Sequence, residues 1–166
     1  MNDLYVECYV KVLAGTNTAI KKTLMIALAV IAAFVAIFVI PHILTLAIAA
    51  VIVCVVIWRL PLLKVDYEYV FVDGQLDFDK IMGGEKRKHM LRIDFDDLVV
   101  VAPEKSHALD GYKDAQEYDF SANNPEMKNY MIVVSKGEKR MKICFSPNEK
   151  LLQAMKSKSR SKIVEV

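Results

Sequence analysis

The chain has 166 residues, room for one compact domain plus an appendage. Hydrophobic residues make up 54% and the formal net charge is +2. That is more apolar than a soluble domain usually is and too balanced to suggest a nucleic-acid-binding face. The three cysteines, Cys8, Cys54 and Cys144, are odd in number and match no zinc spacing, which excludes a disulfide framework and fits a reducing, cytosolic setting.

Residues 1–17 form an N-terminal amphipathic segment, of which residues 2–14 read two ways. Leu4, Tyr5, Cys8, Tyr9, Val12 and Leu13 recur at helical spacing, with Asn2 as a cap and Gly15 as a stop. Leu4, Val6, Cys8, Val10 and Val12 alternate as in a strand. The helical reading, lying on a membrane surface, is favoured, and Thr16-Asn17-Thr18 would then cap the next helix.

From Thr23 to Trp58 there are 36 residues without Asp, Glu, Lys or Arg. A single helix of that length would measure roughly 54 Å, against about 30 Å of bilayer hydrocarbon. Pro41 supplies a break, because it cannot donate within a helix and pushes Ile40 out of the α region. A transmembrane helical hairpin over residues 18–63 follows, with its turn at 41–42 and arms Thr23–Ile40 and Ile43–Trp58. Each arm reaches into its flank, with Lys22 and Arg59 snorkelling and Trp58 at the interface. Ala29 and Ala33, Ala32 and Ala36, and Thr45 and Ala49 are spaced to let the arms approach. Lys11, Lys21 and Lys22 precede the run, Arg59 and Lys64 follow it, and the turn carries no Lys or Arg. The positive-inside rule then puts both termini in the cytoplasm. The run is too long for a signal-peptide core, and Asp3 and Glu7 stand where a basic leader would be. Val53 before Cys54 argues against a lipoprotein signal.

Residues 64–158 read as a cytosolic β domain. Tyr67, Tyr69 and Phe71 share one face, Asp73-Gly74 marks a hairpin, and Leu76 and Phe78 alternate with Asp77 and Asp79. Gly83-Gly84 turns the chain. Arg92–Phe95, Leu98–Val101, Glu117–Phe120, Tyr130–Val134 and Arg140–Phe145 follow as strands, with a loop at Pro103–Lys113 and a turn at Lys136-Gly137. Ser146-Pro147-Asn148-Glu149 reads as a capping box with Ser146 as the cap. It opens a helix whose stripe is Leu151, Leu152 and Met155, fraying from about Ser157 into a basic tail at 159–166.

The fold class is thus α+β: a two-helix transmembrane hairpin, then about seven antiparallel strands and a C-terminal helix. That element order resembles the pleckstrin-homology-like fold, a bent sheet or split barrel plugged by its last helix. The segment from Tyr67-Glu68-Tyr69 through Asp73-Gly74 to Asp79-Lys80-Ile81 looks like bacterial members of that class. With the opening Asn2–Cys8 and Ser146–Lys150, the whole chain resembles an uncharacterised domain-of-unknown-function family of small Gram-positive bacterial membrane proteins. The resemblance implies an architecture and no activity.

Residues that could carry chemistry have plainer roles. Asp77-x-Asp79 and Asp94-x-Asp96-Asp97 fit the wet face of strands better than a metal site. His42, His89 and His107 have no metal-ligand spacing, and no serine carries a nucleophile motif. Cys144 reads as a structural thiol. No cofactor, metal or catalytic residue is assigned. Residues 59–135 carry 10 basic and 15 acidic side chains, and residues 136–162 carry 9 and 2. Lys86, Arg87 and Lys88 at a hairpin tip, with Lys156, Lys158 and Arg160, are therefore the candidate contacts for lipid headgroups or an acidic partner. The reading is a membrane-anchored, non-enzymatic binding or scaffold module. It touches lipid through the hairpin, binds another membrane or cytosolic protein, and takes no nucleic acid. Headgroup sensing at the inner leaflet is the alternative and a membrane enzyme the third option. Against phosphoinositide sensing, the first hairpin loop, taken as Asp73-Gly74, is short and acidic, where lipid-binding pleckstrin-homology domains have a long basic one.

Overall fold

The computed structural model describes residues 5–39, 42–137 and 139–164. Within it the chain forms two compact units. One comprises Met1–Leu13, Asp66–Ile81 and Arg87–Val166; the other comprises Ala14–Val65 and Met82–Lys86.

The first unit holds two four-stranded sheets. In one, β1 (Tyr5–Lys11), β2 (Val65–Val72), β3 (Gln75–Met82) and β4 (Lys86–Asp94) lie in chain order. In the other, β5 (Leu98–Pro103), β6 (Gln116–Phe120), β7 (Tyr130–Lys136) and β8 (Lys139–Phe145) take the order β5-β7-β8-β6. Helix α3 (Glu149–Ser159) follows the last strand. Asp73 and Gly74, with φ of 43° and 95°, take the left-handed conformations that a two-residue hairpin turn of this hand requires. The β6–β8 pair is parallel, an exception in an otherwise antiparallel reading.

The N-terminal segment corrects the favoured helical reading. Tyr5–Lys11 is a strand paired antiparallel to β2 from Tyr5↔Val72 to Lys11↔Asp66. Cys8 and Val10 are each 2% exposed. Pairing on the free edge of β2 bonds the backbone of alternate residues along Tyr5–Lys11 and sends Cys8 and Val10 to the core, burial that an isolated thirteen-residue helix on a surface does not gain. Asn2, Asp3 and Leu4 lie outside the described residues. Tyr9 donates from its hydroxyl to Asp66 at 2.6 Å, and the Val12 N–H donates to the same carboxylate at 3.2 Å, which tethers the end of β1 to the start of β2. The Leu13 N–H donates to the Ala122 carbonyl at 2.9 Å.

Aromatic rings from both sheets fill the core. Tyr69 meets Phe78 at 5.3 Å and Phe145 at 5.7 Å between centroids, while Phe78 stacks on Phe120 at 5.0 Å. Such offset and edge contacts contribute beyond area burial. Helix α3 buries Leu151, Ala154 and Met155 in the same core, while Leu152 is only half-buried. Its cap is Asn148, whose side chain accepts from the Leu151 N–H at 2.8 Å. Ser146 is instead buried in a different network: its Oγ accepts from the Ala122 N–H at 2.9 Å and donates to Asn129 Oδ1 at 2.7 Å. Within the described residues the chain does not fray after Ser157, since α3 runs to Ser159 and a 3₁₀ turn follows at Arg160–Lys162. Ile163 is 8% exposed and bridges Val101 in parallel, and the Val164 N–H donates to the Val101 carbonyl at 2.8 Å. An apolar residue past the basic stretch thus pins the tail to the edge of β5.

The second unit holds two helices, α1 (Thr16–Phe34), prolonged by a π-helical turn at Val35–Val39, and α2 (Ile43–Arg59), followed by a 3₁₀ turn at Pro61–Leu63. Gly15, not Thr16-Asn17-Thr18, stands at the N-cap of α1 and makes no side-chain cap. The expected turn at 41–42 lies partly outside the described residues, since Pro41 is not described. His42 caps α2, its Nδ1 accepting from the Leu44 N–H at 3.4 Å. The apolar stretches Thr16–Phe38 and Ile43–Leu63 have mean hydropathies of 2.2 and 2.7, and only 6% and 11% of their most apolar windows are buried. At about 1.5 Å per residue they measure roughly 34 and 31 Å, enough for a hydrocarbon core of about 30 Å. Both helices are long and apolar enough to cross a membrane, and neither has the burial of a soluble core helix.

Because Leu151 is fully buried, Leu151→Ala should destabilise by about 2–5 kcal/mol. Asn148→Ala should cost about 1 kcal/mol through the lost cap. Ser146→Ala should cost about 1–3 kcal/mol because it strands a buried N–H. Thermal melting of the detergent-solubilised variants checks this order. A Leu151 variant that melts like the parent would mean that α3 is not packed on the sheets.

Candidate functional site

Along β8, Ile143 and Phe145 are buried in the core while Lys142 and Cys144 alternate with them, so these two face the other side of the sheet. The parallel register sets Glu117 of β6 beside Lys142 and Asp119 beside Cys144. On the β5–β7 half of this outer face, Leu109 from a 3₁₀ turn at His107–Tyr112 packs on Ala102, Met131 and Val133. The β8–β6 half is an open cleft of about 680 Å³, lined among others by Glu104, Glu117, Asp119, Asn129, Lys142 and Cys144. Lys142 Nζ donates to Glu117 at 2.8 Å and Asn129 Nδ2 to Glu104 at 3.2 Å. Burial, and then the carboxylates of Asp119, Glu104 and Glu117, push the Cys144 thiol up to about 12, with Lys142 opposing them. The thiol is therefore protonated at neutral pH and a poor nucleophile.

Of the carboxylates and histidines singled out from sequence, Asp77, Asp79, His89 and His107 are paired. Arg92 grips Asp77 through Nε at 2.6 Å and Nη2 at 2.7 Å, a bidentate pair. Asp79 takes His89 Nδ1 at 2.9 Å and Arg87 at 3.9 Å. His107 pairs with Asp110 at 3.2 Å. Among the described residues no group of three His, Cys, Asp or Glu side chains could hold a metal ion.

The six basic candidates are not equivalent. Arg87 pairs with Glu68, which is 8% exposed. Burial raises the Glu68 carboxyl, while Arg87 opposes the shift and Glu7 and Asp79 add to it. Lys158 pairs with Asp73 at 2.9 Å. Lys156 is half-buried and partnered. Lys86, Lys88 and Arg160 are exposed, on the first turn of β4 and after α3. Lys86 lines a second concavity, of about 670 Å³, together with Trp58, Arg59, Leu62, Gly83 and Glu85. Sequence reasoning listed Arg59 only as a snorkelling flank and did not join it to Lys86. The signal available was the shared punctuation, Arg59 before Pro61 and Gly83-Gly84 before Lys86, and nothing in it specifies contact.

The structure also corrects the hairpin comparison. Asp73-Gly74 joins β2 to β3, whereas the first hairpin of the domain is β1–β2. Its connection is the whole helical pair, flanked by Lys11 and Lys64.

The thiol makes a direct prediction. With a folded value near 12 against an ordinary Cys value of about 8.5, iodoacetamide labelling of Cys144 should still climb about tenfold per pH unit at pH 8–10, read by peptide mass spectrometry. A plateau below pH 9 would contradict the acidic cleft, and Asp119→Asn with Glu117→Gln should speed the reaction at fixed pH.

The family model described as "Bacterial PH-like domain (DUF6106)" matches residues 2–165. No curated protein and no solved structure matches the chain. The match runs through the helical pair and both sheets, and the chain belongs to this family of bacterial PH-like domains, whose function is unknown.

Proposed function

We propose that this chain is a membrane-anchored, non-enzymatic binding module that holds a PH-like domain at the inner face of the bacterial cell membrane. The observation that carries the reading is the place of the helical pair. It connects β1 to β2, two strands paired from Tyr5↔Val72 to Lys11↔Asp66, so both of its ends belong on the same side of any membrane it crosses. An even number of spans satisfies that constraint, and two apolar helices of adequate length are present. Lys11, Lys21, Lys22, Arg59 and Lys64 flank the pair, which favours cytoplasmic termini.

The absence of enzymatic chemistry in this reading rests on the pairing of its ionisable groups. Asp77, Asp79, His89 and Arg92 satisfy one another, and the cleft thiol is protonated. The open β8–β6 cleft offers a surface to another membrane or cytosolic protein. Its carboxylates repel a phosphate backbone, so nucleic acid is not a partner in this account.

Cysteine labelling from outside intact cells tests the topology. In a chain with Cys8, Cys54 and Cys144 replaced by Ser, an impermeant maleimide should label His42→Cys and leave Ser161→Cys unlabelled until the cells are opened. Labelling of Ser161→Cys alone would reverse the orientation, and labelling of both from outside would exclude a membrane hairpin.

A further inference from the structure

We propose that the concavity at the end of α2 binds the phosphate of a singly charged anionic phospholipid of phosphatidylglycerol type. The proposal rests on the helical pair spanning a membrane and goes beyond that reading by assigning the lipid and the residues that hold it.

The level of the site follows from the end of the helix. Trp58, 70% exposed, ends the uncharged run, and the Arg59 guanidinium lies 5.8 Å from its ring centroid. An amphipathic indole with a cation over it belongs at the boundary between acyl chains and headgroups. From there the chain tightens through the 3₁₀ turn at Pro61–Leu63, and the Lys64 carbonyl accepts from the Gly83 N–H at 2.9 Å. Gly83, at φ +65°, faces Leu62 Cδ2 and the Pro61 backbone at 3.5 Å from where a side chain would start. This hydrogen bond and close approach fasten the β3–β4 turn to the end of the helix and bring Lys86 to the same concavity as Arg59.

The charges define the ligand. Arg59 and Lys86 are cationic, and among the described residues neither pairs with a carboxylate. Among the described residues Glu85 is the one acid on the lining. Two cations and one anion suit one phosphodiester. Arg59 and Lys86 donate to the phosphate oxygens, and the Glu85 carboxylate accepts from the free glycerol hydroxyls. A multiply phosphorylated headgroup would bring more negative charge than the site neutralises and would set it against Glu85. The space, about 670 Å³, lies in the ordinary range for a small-molecule site. Leu62 and the Trp58 ring give the lipid's upper acyl segment an apolar wall.

Trp58 is the only tryptophan, so its emission reports from the lining itself. The full chain is reconstituted in phosphatidylcholine nanodiscs containing a small, fixed fraction of lipid with a nitroxide high on one acyl chain. The expectation is that spin-labelled phosphatidylglycerol quenches Trp58 about fivefold more effectively than spin-labelled phosphatidylcholine, as expected of about one net charge near a headgroup. Lys86→Gln, at an exposed turn where folding is not at stake, should abolish the preference, and Arg59→Gln should do the same. Equal quenching by the two lipids, or an unchanged preference in Lys86→Gln, overturns the headgroup site and leaves the spanning reading standing. Quenching by neither lipid overturns the spanning reading itself. Stronger quenching by labelled phosphatidylinositol bisphosphate, or loss of the preference in millimolar glycerol 3-phosphate, overturns the assignment to a singly charged bilayer lipid.

Discussion

The antiparallel pairing of Tyr5–Lys11 with Val65–Val72 is the constraint on which the rest of this structure depends. More than fifty residues of helical hairpin separate the two strands in sequence. Closing such a loop has an entropic cost that grows only slowly with length, and the hairpin's own helical order reduces it. The pairing is held at one end by Tyr9 and the Val12 N–H on Asp66, and along its length by Cys8 and Val10 in the core. The apolar helical pair is therefore an insertion within the domain, entered and left through adjacent strands. Two helices entered and left in this way place their flanks on one side of any membrane that they cross.

Polar surface is unevenly distributed over the chain. The sheet containing β1–β4 pairs Arg92 with Asp77, sets His89 and Arg87 on Asp79, and sets Arg87 also on Glu68. The sheet containing β5–β8 leaves an acidic cleft open beside Cys144. The concavity near Trp58 is cationic on balance. Surfaces of three different charge characters thus occur within one small chain.

Much of this architecture was legible in the sequence. The uncharged run from Thr23 to Trp58, the Asp73-Gly74 turn and the period-two alternation around Tyr69, Phe78, Ile93 and Ile143 each reflect a local physical rule, and each element is present. What was misread turned on tertiary context. Tyr5–Lys11 satisfies helical and strand periodicity alike, and only the vacant edge of β2, some sixty residues away, decides between them. Ser146 and Asn148 are both good capping residues; Ser146 is drawn away by the buried Ala122 N–H and Asn129. Ile163 ends a basic stretch that reads as a frayed tail until the edge of β5 is there to receive it. Of the concavity's two cations, Lys86 stood out in the sequence as a candidate contact and Arg59 only as a flank of the apolar run; that they line one concavity goes with the Gly83–Lys64 hydrogen bond, which no local pattern specifies.

Cross-strand disulfide formation in native membrane vesicles tests the central pairing most directly. In a background lacking Cys8, Cys54 and Cys144, Glu7→Cys combined with Val70→Cys, register partners on adjacent strands, should oxidise rapidly to an intrachain bridge, since directly paired residues lie within disulfide reach. Glu7→Cys combined with Asp79→Cys, a position two strands over on β3, should remain reduced. Failure of the Glu7–Val70 pair to bridge, or equal bridging by both pairs, would contradict a domain closed across its own helical hairpin.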